Sequence, residues 1–294
     1  MKVGIYGQYY QDELEIYLYE LLAELADNDA EVYFEADYLS DIKRKISFEG
    51  SYKTFKEFED LDNSFSLFFS IGGDGTMLRS ILYVRDLGIP IIGINVGRLG
   101  FLATVQKDQI KQAVRSLVEG HYEVEERSLL QIETLPYNKE VGEVNFALNE
   151  MAVSRKNTTS MITVSTWLND EYLTSYWADG LIVSTPTGST GYSLSCGGPV
   201  ITPDTNAFVL TPIAPHNLNA RPLVIPDNTV IKLTVFGRSA DYLLSLDSRI
   251  ATLSNETEIY IKKAPFTIKM VELKEESFLK TLRKKLLWGE DKRN

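Results

Sequence analysis

The chain has 294 residues, 44% of them hydrophobic, and a formal net charge of −11, so it is long enough for two cores and too acidic for broad nucleic-acid binding. A single cysteine excludes an internal disulfide, and two histidines are too few for a Cys/His zinc cluster. Without a signal peptide or an apolar run of about 20 residues, we expect a soluble cytoplasmic protein that neither enters a membrane nor binds nucleic acid.

The first part of the chain alternates short apolar runs with longer amphipathic segments, a pattern typical of helices packed on a mostly parallel sheet. Strands are predicted at residues 2–6, 31–34, 66–71 and 90–94. Apolar residues at helical spacing predict two of the helices: Leu14, Leu18, Leu21, Leu22 and Leu25 in one, and Ile110, Ala113, Val114 and Leu117 in the other. We therefore predict an α/β domain over residues 1–125.

The third predicted strand ends in Gly-Gly-Asp-Gly-Thr at residues 72–76. Glycines let backbone amides approach an anion, and a helix predicted to begin at Thr76 would add the positive end of its dipole. In the simpler alternative, Asp74 only caps the helix. Three glycines carry an entropic cost that close approach to a ligand would explain, so the sequence favours a phosphate site containing a carboxylate.

After residue 125 the apolar periodicity changes to two, which predicts strands at residues 130–133, 161–167, 230–235 and 258–261. Turn signals separate these runs at the short spacing of a sandwich-like antiparallel sheet, predicted over residues 126–270. A basic segment at residues 277–288 has the pattern of an amphipathic helix in a tail of residues 271–294. Its predicted apolar side comprises Leu279, Leu282, Leu286 and Leu287.

Two polar clusters stand out in the second domain. Asn149 and Glu150 lie side by side at the start of a predicted strand, where an amide can read a purine edge and a carboxylate can accept from ribose hydroxyls. A strand beginning near Asp179 is followed by glycines and small hydroxyl residues up to residue 199, as a nucleoside pocket requires. The alternatives are exposed polar side chains for the first cluster and a surface linker for the second.

Five motifs, in order along the chain, resemble those of NAD kinases, at residues 72–76, 93–102, 149–150, 179–192 and 215–223. The first is shared with diacylglycerol-type lipid kinases and is similar to a loop of phosphofructokinases, so it marks only this superfamily. The Thr-Pro-Thr-Gly-Ser-Thr run at residues 185–190 makes the resemblance specific to NAD kinases.

The resemblance implies an α/β N-terminal domain, a β-rich C-terminal domain and a C-terminal segment that packs back on the first domain. It also implies transfer of a phosphoryl group from ATP to the adenosine 2′-hydroxyl of NAD, giving NADP. A divalent metal, expected to be Mg²⁺ held through the nucleotide phosphates, would be the cofactor. Polyphosphate is an alternative donor, and the resemblance implies a homodimer or homotetramer.

Carried over motif by motif, the resemblance makes Asp74 the proton acceptor. The implied substrate-binding residues are Asp74, Gly75, Arg79, Phe101, Leu102, Asn149, Glu150, Asp179, Thr187, Thr190, Gly191, Tyr192, Ser193, Leu194, Ser195 and Ala214. The chain departs from the family pattern at Trp177, where a basic residue is common, and at Gly191, where alanine is common. It also departs at Ser248 and Arg249, to which we assign no ligand role.

Three other functions share part of this sequence pattern. A lipid kinase would share the Asp74 loop but needs an exposed apolar entrance and basic membrane-docking patches. A non-catalytic NAD sensor could keep the second-domain pocket without requiring Asp74. A hydride-transferring Rossmann enzyme is disfavoured because the first strand is not followed by G-x-G-x-x-G.

Overall fold

The computed structural model describes residues 1–11, 14–156, 159–274 and 276–288. The chain divides into two compact units, Met1–Glu126 with Ile268–Asn294 and Arg127–Thr267. The second unit is continuous in sequence and interrupts the first. Residue 275 and residues 289–294 of the predicted tail lie outside the described residues.

The helices and strands follow one another in three segments. The first segment contains β1 (Lys2–Gly7), α1 (Glu15–Asp27), β2 (Glu31–Glu35), α2 (Ala36–Lys45), β3 (Lys53–Phe55), β4 (Leu67–Ile71), α3 (Asp74–Val84), β5 (Ile91–Asn95), β6 (Val105–Gln106), α4 (Ile110–Val118) and β7 (Tyr122–Arg127). The second contains β8 (Leu130–Leu135), α5 (Lys139–Gly142), β9 (Phe146–Ala147), β10 (Glu150–Arg155), β11 (Ile162–Leu168), β12 (Glu171–Ala178), β13 (Gly180–Ser184), α6 (Tyr192–Ser195), β14 (Ala207–Ile213), β15 (Leu223–Pro226), β16 (Ile231–Phe236), β17 (Asp241–Leu246), β18 (Arg249–Ser254) and β19 (Glu258–Lys263). The third contains β20 (Ile268–Leu273) and α7 (Phe278–Leu286).

The first unit is built on an eight-stranded sheet in the order β3-β2-β1-β4-β5-β20-β7, with β6 beside β5. The pairs from β3 through to β20 are parallel. The leucines of α1 and the apolar side of α4 are buried in one core with residues of β1, β4 and β5, as their helical spacing predicted. The predicted α/β fold with a mostly parallel sheet is confirmed.

The chain returns to the first unit after residue 267, which confirms that the C-terminal segment packs back on the N-terminal domain. Strand β20 pairs in parallel with β5, with Met270 opposite Ile91. Further along, the ring of Phe278 in α7 lies 6.3 Å from the ring of Phe101. This segment therefore contributes both a strand to the sheet and an aromatic contact to the loop that follows β5.

The second unit is a sandwich of two six-stranded antiparallel sheets, as the period-two pattern predicted. One sheet has the order β15-β14-β13-β10-β17-β18, and the other has the order β12-β11-β16-β19-β8-β9. Leu181 and Phe208 of the first sheet share a single buried core with Val164 and Leu233 of the second. Along β11, β16 and β17 buried residues alternate with more exposed ones, because successive side chains of a strand point to opposite faces.

The structure corrects the predicted start of α3. The helix begins at Asp74, two residues before the predicted Thr76, and Gly73 is its extended N-cap residue. Its first turn closes early because the N–H groups of Thr76 and Met77 both donate to the carbonyl of Gly73. Asp74 is thus a residue of the first helical turn rather than the cap of the simpler interpretation.

The predicted apolar side of α7 is wrong at two of its four positions. Leu282 is 4% exposed and Leu286 is partly buried, but Leu279 is 57% and Leu287 is 60% exposed. Ser277 caps the helix, and the basic residues of its last turn suit the negative end of the helix dipole. Within the part of the chain that the structure describes, no helix combines the length and the apolar character needed to cross a bilayer.

Burial along α7 leads to a stability prediction. Leu282→Ala should lower the free energy of unfolding by about 2–4 kcal/mol, because it removes a buried side chain and leaves a cavity. The matched control, Leu279→Ala, should change it by less than about 0.5 kcal/mol, because that side chain is mostly in solvent. Urea unfolding of both variants measures the difference, and equal losses would contradict the observed burial.

Candidate active site

The glycine loop places the Asp74 carboxylate at the beginning of α3, directly after the buried strand β4. Gly72 adopts a φ of +156°, and a Cβ there would lie 2.2 Å from the Thr76 hydroxyl oxygen, so this turn requires glycine. The Asp74 carboxylate accepts the N–H of Phe101 on Oδ2 at 2.8 Å. Its Oδ1 accepts the N–H groups of Leu102 at 3.0 Å and Ala103 at 3.1 Å. The carboxylate is therefore fixed by three successive amides of the loop after β5.

Asn95, the last residue of β5, holds the loop after β5 through hydrogen bonds between its side chain and the loop backbone. Its side chain is buried, and its Nδ2 donates to the carbonyls of Arg98 at 2.9 Å and Ala103 at 3.2 Å. Its Oδ1 accepts the N–H of Gly97 at 2.8 Å. We did not single out Asn95 from the sequence, although an amide inside a glycine-rich turn is a residue type that commonly organises such turns.

Gly100 lies closer to the carboxylate than any side chain would allow. A Cβ at this position would stand 1.9 Å from Asp74 Oδ1 and 2.5 Å from its carboxyl carbon. In the same loop, a Cβ at Gly97 would meet nothing within 4 Å. The three amide hydrogen bonds hold the Asp74 carboxylate, so it cannot move away from a larger residue without losing them.

Arg79, the predicted phosphate contact, is exposed on α3 near the end of β1. Burial raises the pKa of Tyr6 in β1 to about 12, and the positive charge of Arg79 opposes that shift. The chain moves outward from β1 to β2 and β3 and then returns to β4 on the other side of β1. Such a switch point is where ligands bind at the carboxyl ends of parallel strands, and Gly75 and Arg79 both lie on the helix that leaves it.

Asn149 and Glu150 lie where β10 begins in the second unit. Glu150 is 9% exposed, its Oε2 is buried, and Asn149 Oδ1 is buried as well. Neither oxygen has a hydrogen-bond partner in the described part of the chain. Burial, followed by the nearby charge of Asp247, raises the pKa of Glu150 to about 8, and the Tyr192 N–H opposes the shift. A ligand with hydroxyl or amine donors would satisfy both oxygens.

The small-residue run after β13 folds into two short helical turns beside Asn149. A Cβ at Gly188 would lie 2.0 Å from the carbonyl oxygen of Asn149, and a Cβ at Gly191 would lie 3.1 Å from Glu150 Oε2. Of the predicted pocket residues in this run, Thr187 and Ser193 are buried and Thr190, Leu194 and Ser195 are partly or fully exposed. The hydroxyl of Ser193 pairs with that of Thr211 at 2.8 Å.

Asp179 and Ala214 lie at the opposite end of β13 from this cluster. The N–H of Asp179 donates to the carbonyl of Ile213, so the two predicted residues are close to each other. The Asp179 carboxylate forms an ion pair with Arg155, with 2.9 Å between Oδ1 and Nε. The five-residue strand separates them from the Glu150 end by about 16 Å at 3.3 Å per residue.

Tyr192 lies between these two ends of β13. Burial raises the pKa of its phenol, as do Cys196 and the charges of Asp179 and Glu150. Trp177, which stands where the family commonly has a basic residue, contacts His216 in the same unit. The rings of Trp177 and His216 are 4.3 Å apart, and the His216 N–H donates to the Trp177 carbonyl, which gives His216 a role in anchoring its loop.

A metal centre formed by protein side chains alone is not found among the described residues, where no three His, Cys, Asp or Glu side chains are placed to hold an ion. The donors at the Asp74 carboxylate are backbone amides, which suit anionic oxygens rather than a cation. A metal at this site would therefore need ligands from a bound substrate.

The first unit has a glycine loop that fixes a carboxylate at the switch point of its parallel sheet, and the second has polar side-chain oxygens without partners among the described residues. Both features are typical of the class of nucleotide-binding kinases. Family models give the particular class: residues 3–122 match the ATP-NAD kinase N-terminal domain and residues 148–273 match the ATP-NAD kinase C-terminal domain. The chain belongs to the ATP-NAD kinase family.

Similar proteins and solved structures support this family assignment. The chain is 63% identical to an NAD kinase of Christiangramia forsetii and 57% identical to one of Flavobacterium johnsoniae, in each case over 100% of both chains. A crystal structure of an Archaeoglobus fulgidus NAD kinase in complex with ATP has 25% identity and a TM-score of 0.74, covering 96% of this chain and 99% of that one. Yeast NADH kinase complexed with NADH shares the fold, with 22% identity, a TM-score of 0.87 and coverage of 99% and 88%. These comparisons do not favour the lipid kinase or the non-catalytic sensor.

The approach of Gly100 to Asp74 predicts a local steric effect. Gly100→Ala should lower the free energy of unfolding by about 1–3 kcal/mol, because the added methyl displaces a carboxylate that three amides hold. Gly97→Ala is the matched control and should be neutral or stabilising by up to about 1 kcal/mol, since its methyl enters open space. Thermal and urea unfolding compare the two, and a neutral Gly100→Ala would argue against the close contact.

The raised pKa of Glu150 predicts a pH-dependent loss of stability. The folded protein holds a proton on this carboxyl up to about pH 8, whereas the unfolded chain releases it near pH 4.5. The contribution of Glu150 should therefore fall between these values as pH rises, by up to about 1.4 kcal/mol per pH unit. Glu150→Gln should be less sensitive to pH than wild type over pH 6–8 in urea unfolding. Parallel curves for the two proteins would show that Glu150 is ionised in the folded state.

Proposed function

We propose that this protein transfers the γ-phosphoryl group of ATP to the adenosine 2′-hydroxyl of NAD, producing NADP and ADP. Support comes above all from the Asp74 carboxylate, which three successive loop amides fix at the beginning of a helix, as a base aligned for phosphoryl transfer requires. Family membership supports the same reaction.

Asp74 is the proposed proton acceptor. A carboxylate offers about four acceptor positions, two on each oxygen. Both positions on Oδ1 are taken by Leu102 and Ala103, whereas within the described parts of the chain Oδ2 accepts from Phe101 alone. Oδ2 therefore keeps one position for the 2′-hydroxyl, whose proton it accepts as the hydroxyl oxygen attacks the γ-phosphorus.

Phosphoryl transfer depends mainly on alignment and charge neutralisation. We assign the first role to the glycine-loop amides at the positive end of α3, with Gly75 against the dinucleotide and Arg79 on a phosphate. A divalent metal, with Mg²⁺ expected, would be held through the nucleotide phosphates and would neutralise their developing charge. Phe101 and Leu102 would contact the dinucleotide from the loop whose amides hold Asp74.

In the second unit, Asn149 and Glu150 would hold the adenine and ribose through the two buried oxygens that have no partner among the described residues. The adenosine pocket would be completed by Thr187, Thr190, Gly191, Tyr192, Ser193, Leu194 and Ser195, with Ala214 at its wall. Asp179 would face the nicotinamide end of the dinucleotide. The raised pKa of Glu150 means that it binds either as a donor when protonated or as an acceptor when ionised, so NAD affinity should depend on pH near 8.

We propose ATP as the donor with polyphosphate as a second candidate, a homodimer or homotetramer as the assembly, and the cytoplasm as the location. Neither a nucleic acid nor a membrane is a proposed partner. The functional domains would be residues 1–125 with the phosphate loop, residues 126–270 with the NAD-binding pocket and a tail of residues 271–294.

The role of Asp74 leads to a kinetic prediction. Asp74→Asn should lower kcat by at least about 100-fold while NAD still binds, because the amide cannot accept the hydroxyl proton. Asp86→Asn, which changes an exposed aspartate beyond the same helix, is the matched control and should leave kcat unchanged. Steady-state kinetics give kcat, and isothermal calorimetry gives NAD affinity. Turnover like that of wild type in the Asp74 variant would remove the base role.

The function itself is tested with purified protein, NAD, Mg²⁺ and either ATP or polyphosphate. An NADP-specific dehydrogenase quantifies the NADP formed. We expect NADP with at least one donor and little with the Asp74→Asn variant. Binding of NAD without NADP from any donor would instead indicate a sensor.

A further inference from the structure

In the part of the chain that the structure describes, two residues hold the backbone that carries Asn149 and Glu150. Every N–H and C=O group of Leu148, Asn149 and Glu150 takes part in a hydrogen bond with either Asp247 or Thr185. Asp247 accepts the N–H groups of all three residues and donates its own N–H to the Glu150 carbonyl. Thr185 donates its hydroxyl to the Leu148 carbonyl and its N–H to the Asn149 carbonyl.

Asp247 occupies the tight turn between β17 and β18, where its φ is +51°. Its Oδ1 lies 2.9 Å from the N–H nitrogen of Asn149 and 3.2 Å from that of Glu150, and its Oδ2 lies 3.0 Å from that of Leu148. Two residues further along, Arg249 donates to the carbonyls of Val144 and Phe146. One turn therefore holds the segment from Val144 to Glu150 through both its carbonyls and its amides.

This arrangement fixes the direction of the two side chains. With all backbone groups of the segment occupied, a peptide plane cannot rotate without breaking a hydrogen bond in a buried or partly buried place. Among the described residues, Asn149 Oδ1 and Glu150 Oε2 nevertheless have no hydrogen-bond partner. A protein that satisfies every backbone group of a segment and leaves its side-chain oxygens unpaired has held those oxygens ready for a ligand.

We infer that Asp247 and Thr185 are positioning residues of the NAD site, which set the direction of Asn149 and Glu150 without contacting the dinucleotide. The inference rests on the ligand roles proposed above for Asn149 and Glu150. The positioning role is assigned to Asp247 and not to the two residues that follow it. Ser248 is exposed, and Arg249 donates hydrogen bonds to carbonyls earlier in the chain.

The charge of Asp247 should affect the pH dependence of NAD affinity, which a residue that only supports the fold would leave unchanged. Burial and the charge of Asp247 raise the pKa of Glu150, and the Tyr192 N–H opposes that shift. Burial also raises the pKa of Asp247, and the amides it accepts and the charge of Arg249 oppose that shift and favour its charged form. Removing the charge of Asp247 removes one of the two causes that raise the pKa of Glu150. The pH at which NAD affinity changes should therefore move downward when Asp247 is made neutral.

The first experiment compares Asp247→Asn with Asp170→Asn, which makes the same change at an exposed turn residue that also has a positive φ of 67°. Asparagine keeps the shape of the side chain but presents an NH₂ group where one of the carboxylate oxygens accepted. We expect Kd and KM for NAD to rise about 10- to 100-fold in the Asp247 variant, with KM for ATP changed less than about 2-fold. The midpoint of NAD affinity against pH should also fall, and Asp170→Asn should behave like wild type.

The second experiment covers the case in which Asp247→Asn does not fold. Thr185→Val removes the hydroxyl that donates to Leu148, whereas Thr185→Ser keeps it. Thr185→Val should weaken NAD binding about 10-fold, and Thr185→Ser should bind NAD within about 2-fold of wild type.

The outcomes separate this inference from the proposed function. Folded Asp247→Asn or Thr185→Val protein with unchanged NAD affinity would overturn the inference, as would a fall in kcat at constant Kd and constant pH midpoint. Calorimetry measures NAD affinity without turnover, so a wild-type protein that binds NAD but forms no NADP would contradict only the proposed reaction. Unchanged NAD affinity in Glu150→Gln would contradict the ligand role of Glu150.

Discussion

A carboxylate that is removed from water needs hydrogen-bond donors. Each of the two candidate clusters of this protein is organised around one aspartate, whose carboxylate accepts hydrogen bonds from three successive backbone N–H groups. In the first unit, Asp74 takes the amides of residues 101–103, and in the second, Asp247 takes those of residues 148–150. The two devices are used differently. In the proposed reaction, Asp74 is the proton acceptor and the loop supports it. In the second unit, Asp247 would be the support, and the loop carries the proposed ligand residues Asn149 and Glu150.

Much of the fold follows from periodicity, because burial on one or both faces leaves a direct record in the sequence. The leucines of α1 are spaced at the helical repeat and the residues of β11 alternate, and the structure buries them accordingly. The helix α7 shows the limit of this reasoning. Its leucines have helical spacing, but spacing reveals only which residues share a side of the helix. Whether another element covers that side depends on tertiary packing, and Leu279 is 57% exposed.

The parts of the candidate site that contain several glycines could be predicted from the sequence. Single polar residues that form hydrogen bonds with residues distant in the chain could not. The loop at residues 72–76 was predicted as a site because three glycines carry an entropic cost that binding of a ligand would explain. Asp247 could not be recognised in this way, since its partners lie about 100 positions earlier in the chain and only the pairing of β10 with β17 brings them together. Asn95 was missed because its hydrogen bonds depend on a loop conformation that residue types alone do not define.

The return of the chain to its first unit also bears on how the protein is made. The strand β20 lies between β5 and β7 in the sheet, yet the ribosome produces it only after the whole of the second unit. The second unit is continuous and can fold as soon as it emerges, whereas the first must wait with part of the β5 edge unpaired. Exposed strand edges are sites of aggregation, so the nascent first unit should depend on chaperones until residues 268–273 have emerged.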